Sequence, residues 1–402
     1  MRSLYFEVKV ARILATRVLS RVFPSAPLTA VSPVRFGLLP DPPLPGPDWV
    51  RVSTSLAGIC GSDVALFFVQ ASPAISLAAL PGVPRAFLGH EVVGRVLETG
   101  PAVQDLAAGD RVALKIFLPC CSIRGIEPRC TACREGNYTL CENFSEGAVV
   151  ENTGAGFSDR FLAHRSQLVK VPPEISDEAA VLIEPAAVSL HAVLRRPPAA
   201  GEKVLVIGAG TIGLNVVQSA RAVEPAARIF VLEPQPFKQA WALRLGADEA
   251  IQGDPYEGIR RATGAKLYKG ALGNRTLLGG FDLVYDCVGH SDTLHHGLRW
   301  LRARGDYVMV GNQLWPATFD QTPLWHQELR LIGVNAHGSE SWQGQKISTF
   351  DLAMDFIREG KIRLDGFVTH RFPLEQYREA FRLARQGGQG VVKVAFDLGM
   401  PS

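Results

Sequence analysis

The chain has 402 residues, enough for two to three domains at roughly 150 residues each. It is 47% hydrophobic and 20% charged, which excludes disordered and fibrous classes, and its 42 basic against 39 acidic residues are too evenly balanced for an electrostatic nucleic-acid binder. No apolar run reaches the roughly 18 residues that a membrane span requires, so neither nucleic acid nor membrane is an expected partner.

Residues 1–23 carry Arg2, Arg12, Arg17 and Arg21 against the single acid Glu7, a pattern that loosely imitates an organelle transit peptide. Arginine outnumbers lysine 32 to 10 over the whole chain, however, so the segment reads as an amphipathic start of the fold, packed on the body. From Ser32 to Gly201, glycines and prolines punctuate short apolar runs. These read as strands at Trp49–Val52, His90–Val96, Arg111–Ile116 and Gln167–Val171. Within this stretch no long helical period is predicted before Asp177, where Ser176 followed by two acids makes a helix start and an apolar segment runs to Leu194. Pro185 interrupts that segment, so Glu184 is biased away from helical geometry and is expected to project from a break. Pro197 and Pro198 then close it as a linker.

After the linker the texture changes. Lys203–Ile207 is a buried-strand pattern, followed by a glycine-rich turn and a helical run to Ala222. A second strand is predicted at Arg228–Leu232 and a second helix at Phe237–Leu245, with later strands at Leu283–Cys287, Tyr307–Val310 and Leu329–Val334. Strands and helices alternating in this way indicate an α/β fold with a doubly wound parallel sheet. Gly264–Gly280 has several glycines and no clear period, and reads as a long loop or excursion. The tail predicts a helix over Phe350–Arg358, a strand over Phe367–Phe372, a helix over Leu374–Arg385 and a strand over Gly390–Phe396.

Three motifs carry chemistry. Gly208-x-Gly210-x-x-Gly213 lies between a hydrophobic strand and a helix, the context in which glycines let a helix N-terminus approach a pyrophosphate. Thr211 and Ile212 complete that turn. Glu233 ends the second strand, 20 residues after Gly213. A carboxylate there accepts ribose hydroxyls and repels a 2′-phosphate, favouring NAD over NADP, and Lys238 nearby softens the preference.

The second motif is scattered: Cys60 in Gly-Ile-Cys-Gly-Ser62-Asp63, His90 before Glu91, and Glu184 before Pro185. Cys, His and Glu form a reasonable ligand set for a catalytic zinc that keeps one position open. Each taken singly is more commonly structural; their occurrence together with a nucleotide motif is what points to zinc. The third motif is a cluster of cysteines. The chain has seven, five of them between Cys120 and Cys141, a distribution that suits metal binding in a reducing, cytoplasmic setting rather than a disulfide framework. Cys121, Cys130, Cys133 and Cys141 are the expected ligands of a structural zinc, with Cys120 and Glu127 as alternatives for the first position. Two zinc ions per chain are therefore expected.

In this order the motifs resemble the zinc-dependent medium-chain alcohol dehydrogenases over nearly the whole chain. The Glu-Pro at the third catalytic position is similar to the branch of polyol, sugar and threonine dehydrogenases. The resemblance implies a GroES-like β-rich catalytic domain over 1–190, with a structural zinc lobe at about 119–145. It further implies a Rossmann domain over 191–341, a return to the catalytic domain over 342–402, and a homo-oligomer, tetramer or dimer. Cys287, Val288 and Gly289, after Asp286, resemble the segment lining the nicotinamide pocket.

Three departures from the family pattern stand out. Ala65 replaces a frequent proton-relay histidine. About six extra residues separate the first two lobe cysteines. Gln70–Arg85 is long. The expected activity is hydride transfer between a secondary alcohol and NAD, with Ser62 accepting the hydroxyl proton. Glu91 would orient the site or enter the coordination shell transiently, and Asp63 would act as a supporting partner. A carbonyl reductase of the same fold and a non-catalytic nucleotide- and zinc-binding protein are the competing readings.

Overall fold

A computed structural model describes residues 1–72, 84–115, 119–147, 149–316, 318–388 and 390–399. Most of Gln70–Arg85, and Ile116 at the end of one expected strand, lie outside the described residues. The chain divides into two compact units, Met1–Glu184 with Leu364–Ser402, and Pro185–Arg363.

The first unit is β-rich. Its larger sheet runs in the order Val368–Phe372, Lys393–Asp397, Trp49–Gly58, Glu91–Thr99, Arg111–Leu114, Leu168–Lys170, and Arg160–His164 also pairs with Trp49–Gly58. Trp49–Gly58 is the hub: its first half pairs with Arg160–His164 and its last three residues with the C-terminal strand, while Glu91–Thr99 follows its whole length. A smaller sheet joins Val34–Leu38, Arg2–Glu7 and Arg85–Phe87. Phe67, Phe157, Phe381 and Phe396 are all fully buried beneath these sheets. Phe67 stacks on Phe381 with ring centroids 4.1 Å apart, while Phe157 meets Phe396 edge-on at 4.9 Å. The short apolar runs read from the sequence are thus the strands of this sheet.

The second unit holds a six-stranded, wholly parallel sheet in the order Glu249–Ala250, Arg228–Leu232, Lys203–Ile207, Phe281–Asp286, Leu301–Met309, Arg330–Gly333. Strand order therefore reverses between Lys203–Ile207 and Phe281–Asp286, the switch point at which doubly wound sheets bind ligands. Leu205, Val206, Phe230, Val284 and Tyr285 are fully buried, as strands covered on both faces require.

Three expectations differ from the structure. The break after Ser176 falls at Val181 and Leu182, between the helices Asp177–Ala180 and Ile183–Arg195, so Glu184 sits in a first helical turn rather than projecting from a break. Pro185 is tolerated there because a first turn needs no N–H donor. Gly264–Gly280 is an excursion rather than a loop: Lys266–Lys269 and Arg275–Leu278 form an antiparallel hairpin. The N-terminal segment expected to pack on the body is the helix Val10–Ser20, with Thr16 buried and Ile13 against the core. Finally, the units' bounds differ from 1–190, 191–341 and 342–402. Most of Ile183–Arg195 goes with the second unit, and so does the segment up to Arg363. The tie is polar: Gln218 accepts the N–H of Arg363 at 2.8 Å and donates to its carbonyl at 3.2 Å.

Candidate metal and dinucleotide sites

In the first unit, the hub strand ends at Gly58 and the chain turns at Cys60 into the helix Gly61–Phe67. Asp63, in the first turn of that helix, is 4% exposed. One of its oxygens accepts the Cys60 N–H at 3.0 Å, and the other accepts the Gly89 N–H at 3.1 Å. The same carboxylate stands 3.8 Å from Nδ1 of His90. It thereby locks together two segments that are distant in sequence, and burial raises its pKa despite His90 and the two N–H donors. Gly89 makes the approach possible, since it has φ +87° and a Cβ on it would fall 2.5 Å from the ring of buried Phe157.

The sulfur of Cys60, a ring nitrogen of His90 and a carboxylate oxygen of Glu91 lie within 4.8 Å of one another. Glu184 stands outside that trio. It is 6% exposed, and burial pushes its carboxyl up to about 7, with His90 opposing the shift and Glu91 adding to it. Burial disfavours a charged imidazole at His90, yet Asp63 and Cys60 outweigh it and hold its pKa well above the ordinary range. A half-buried thiol, an imidazole and two buried carboxyls in one neighbourhood form a donor set that fits zinc.

Lys393, on the last strand, is a participant the sequence reading missed. Its Nζ donates to both oxygens of Glu91 at 2.7 Å and to the Ile59 carbonyl at 3.2 Å. The signal was present as a lone charge inside the apolar run Val391–Phe396. Because Lys393 engages both oxygens of Glu91, that carboxylate is already neutralised where it stands. Ser62 is half-buried in the first turn of Gly61–Phe67, and Ala65 is half-buried one turn on.

The lobe cysteines are free and gather as anticipated from their spacing. Cys121, Cys130, Cys133 and Cys141 are buried with their sulfurs within 4.8 Å. The Cys121–Cys141 separation is 3.7 Å and the Cys130–Cys141 separation 4.0 Å, too long for a disulfide. A tetrahedral zinc with bonds of about 2.3 Å requires sulfur–sulfur edges of about 3.8 Å, so the cage already has the right size. Backbone N–H groups of Cys130 and Cys133 point at sulfurs, at 3.4 and 3.5 Å, and the Asn143 amide donates to Cys121 at 3.5 Å. Such donors stabilise thiolates. Cys120 is buried but outside the cluster, and Glu127 is on the surface beside Arg129.

In the second unit, Lys203–Ile207 leads through Gly208 and Gly210 into the helix Thr211–Val223. A Cβ on Gly213 would fall 1.8 Å from the Gly208 carbonyl oxygen, so only glycine lets the helix close on the turn. Thr211 is buried and Ile212 half-buried in the first turn of that helix. Glu233 is 6% exposed, and its two oxygens accept the N–H groups of Ala209 at 2.8 Å and Gln235 at 2.9 Å, which fixes it against the turn. Lys238 is half-buried on the following helix, Pro236–Arg244. Cys287, Val288 and Gly289 form a second turn facing the first: a Cβ on Gly208 would meet the Val288 side chain at 2.6 Å. Buried Asp286 shapes this turn by accepting the N–H groups of Val288 and Gly289 at 3.0 and 3.1 Å, and it also accepts the Tyr307 hydroxyl at 2.7 Å.

The glycine turn, Glu233 and the Cys287–Gly289 turn thus stand at the strand ends of one sheet, while in the other unit the four lobe cysteines form one cluster and Cys60 and His90 another, with Glu91 in it and Glu184 outside it. Among the described residues, no helix is long and apolar enough to cross a membrane. Family models agree with this partition: an alcohol dehydrogenase GroES-like domain matches residues 46–173 and a zinc-binding dehydrogenase domain matches residues 211–351. The chain is 32% identical over 356 residues to an L-idonate 5-dehydrogenase of Vitis vinifera, covering 88% of this chain and 89% of that protein. It is 30% identical over 373 residues to a sorbitol dehydrogenase of Arabidopsis thaliana, covering 89% and 90%. The crystal structure of galactitol-1-phosphate dehydrogenase from Escherichia coli shares the fold, with a TM-score of 0.70 at 24% identity over 99% of this chain and 100% of that one. Motif order, the two domain matches and this full-length similarity place the chain in the zinc-dependent medium-chain alcohol dehydrogenase family, in its polyol-dehydrogenase-like branch.

Proposed function

We propose that the protein transfers a hydride between a secondary alcohol (a polyol, sugar or amino alcohol) and NAD, using two zinc ions per chain. The observation that carries this reading is the convergence of Cys60, His90 and buried carboxyls in a chain that also holds a glycine turn locked by Glu233. Cys60, His90 and Glu184 would hold the catalytic zinc, with Glu91 adjacent, and the four lobe cysteines would hold the structural one. Zinc supplies Lewis-acid polarisation of the alcohol oxygen and the nicotinamide supplies the hydride acceptor.

The chain's own residues do the rest. Asp63 orients Cys60 and His90 and is a positioning residue. Ser62 takes the hydroxyl proton as the hydride leaves. Since Ala65 has no proton to exchange, the proton passes from Ser62 through water, a cofactor ribose hydroxyl or another side chain. Ser62→Ala is expected to lower kcat by about 100- to 10,000-fold while zinc content stays unchanged. Full turnover in this variant would remove Ser62 from the mechanism.

Glu233 supports NAD over NADP. Glu233→Ser is expected to shift the ratio of kcat/KM values towards NADP by about tenfold or more. A ratio equal to that of the parent protein contradicts the assignment. A homo-oligomer, dimer or tetramer, follows from the resemblance to the family, and a cytoplasmic location from the free, clustered thiols.

The deciding experiment is a panel of polyols, sugars and amino alcohols at alkaline pH with either cofactor, following reduced nicotinamide, with a zinc assay on the same sample. Turnover of carbonyl compounds by the reduced cofactor, far exceeding any alcohol oxidation, would favour the reductase reading. Cofactor binding without turnover of any compound would leave a non-catalytic nucleotide- and zinc-binding protein.

A further inference from the structure

The strands Arg2–Glu7 and Val34–Leu38 pair antiparallel with Phe6 opposite Val34. A two-residue turn suffices to close such a hairpin. Here the whole of Val8–Pro33 forms the connection, and it contains the helix Val10–Ser20. One face of this helix is anchored. Thr16 is buried and donates its hydroxyl to the carbonyls of Arg12 and Val31 at 2.8 and 2.9 Å, and Ile13 packs on the core.

The other face is apolar and open. Val10, Leu14, Val18 and Val22 recur every four residues and are 67%, 53%, 61% and 88% exposed. Leu19 and Phe23 extend the same surface at 46% and 57%. Spacing of four places the first set along one stripe. Arg17 and Arg21 follow one edge of it and Arg12 the other. With Lys9 that makes four cations; Lys9 and Arg12 reach Glu7 at 2.9 and 3.8 Å, and no Asp or Glu occurs between Val8 and Pro40 to face Arg17 and Arg21 from within the excursion.

We propose that this excursion is a peripheral membrane contact, seating the chain on an anionic lipid surface. An apolar stripe flanked by arginines is the pattern that buries its apolar side at the boundary of headgroups and acyl chains while its cations meet acidic headgroups. It needs no span, and none of the described helices is one. A second copy of the chain is the weaker occupant, because a two-fold contact through this face would set the same four cations against themselves.

The test is flotation of the full chain with phosphatidylglycerol–phosphatidylcholine vesicles and with pure phosphatidylcholine vesicles. Binding is expected to the acidic vesicles at least tenfold above the neutral ones, and to fall several-fold as salt rises from about 0.1 M to about 1 M and the Debye length shrinks from about 10 to about 3 Å. The double variant Leu14→Glu with Val18→Glu should lose binding at least tenfold with an unchanged melting temperature and circular dichroism. Arg21→Glu should weaken binding to acidic vesicles alone. Equal recovery with both vesicle types overturns the proposal, as does undiminished binding of the double variant. So does a parent oligomer, seen by sedimentation velocity, that the double variant dissociates.

Discussion

Replacing Lys393 with methionine is expected to destabilise the protein by about 3–5 kcal/mol, read as a lower denaturant midpoint. The side chains of Lys393 and Glu91 are 6% and 1% exposed, and one Nζ serves both carboxylate oxygens. Burial lowers the pKa of a lysine, but Glu91, Cys60 and Glu184 reverse that and hold Lys393 charged. Removing it leaves a buried carboxylate with no cation beside it, which costs far more than the intact pair contributes. The companion variant Glu91→Leu with Lys393→Met removes both charges and should recover most of the loss. An unchanged midpoint in the single variant would show that water reaches Glu91 and that the pair is not truly buried.

Cys133→Ser is expected to reduce zinc from about two to about one per chain and to open the lobe over 119–147 to proteases. Cys133 is 2% exposed and shares its cage with three other sulfurs. A serine hydroxyl is a poor zinc ligand, and metal affinity in such a lobe is folding free energy, on the order of 10 kcal/mol in isolated zinc-finger peptides. Cys60 and His90 belong to a separate cluster, so the second ion should remain. Elemental analysis and limited proteolysis read the two outcomes separately. Retention of both ions would detach Cys133 from the structural site.

Much of the second unit was legible because its elements are long, regular and flanked by decisive residues. Lys203–Ile207 and Arg228–Leu232 coincide with their predicted bounds because fully buried parallel strands are unbroken apolar runs. The hairpin Lys266–Leu278 was hidden because its strands are short, half polar and mostly exposed, so no burial pattern marked them. The N-terminal segment was legible as amphipathic and packed on the body, but apolar residues on both the packed and the open face of Val10–Ser20 blurred its helical period. At the candidate metal cluster, Cys60 and His90 come together as their motifs suggested and Asp63 lies beside them, while Glu184 stands outside the trio. What residue order could not convey was that Glu91 lies closer to the Cys60–His90 pair than its supporting role suggested, or that Lys393 would balance it from 302 positions away.

That last separation bears on how the chain matures during synthesis. Lys393 belongs to the strand Lys393–Asp397, which completes the sheet on the last residues of Trp49–Gly58. The residues of Pro185–Arg363 are contiguous, so that unit can form while the ribosome is still at work. The β-rich unit must instead wait, with its hub strand's edge unpaired near Gly58, until Lys393–Asp397 has left the exit tunnel. Nascent chains stalled shortly before Lys393 would therefore carry a finished parallel-sheet unit and a β-rich unit whose buried Glu91 still lacks its cation, a vulnerable interval in which chaperone capture or aggregation competes with completion.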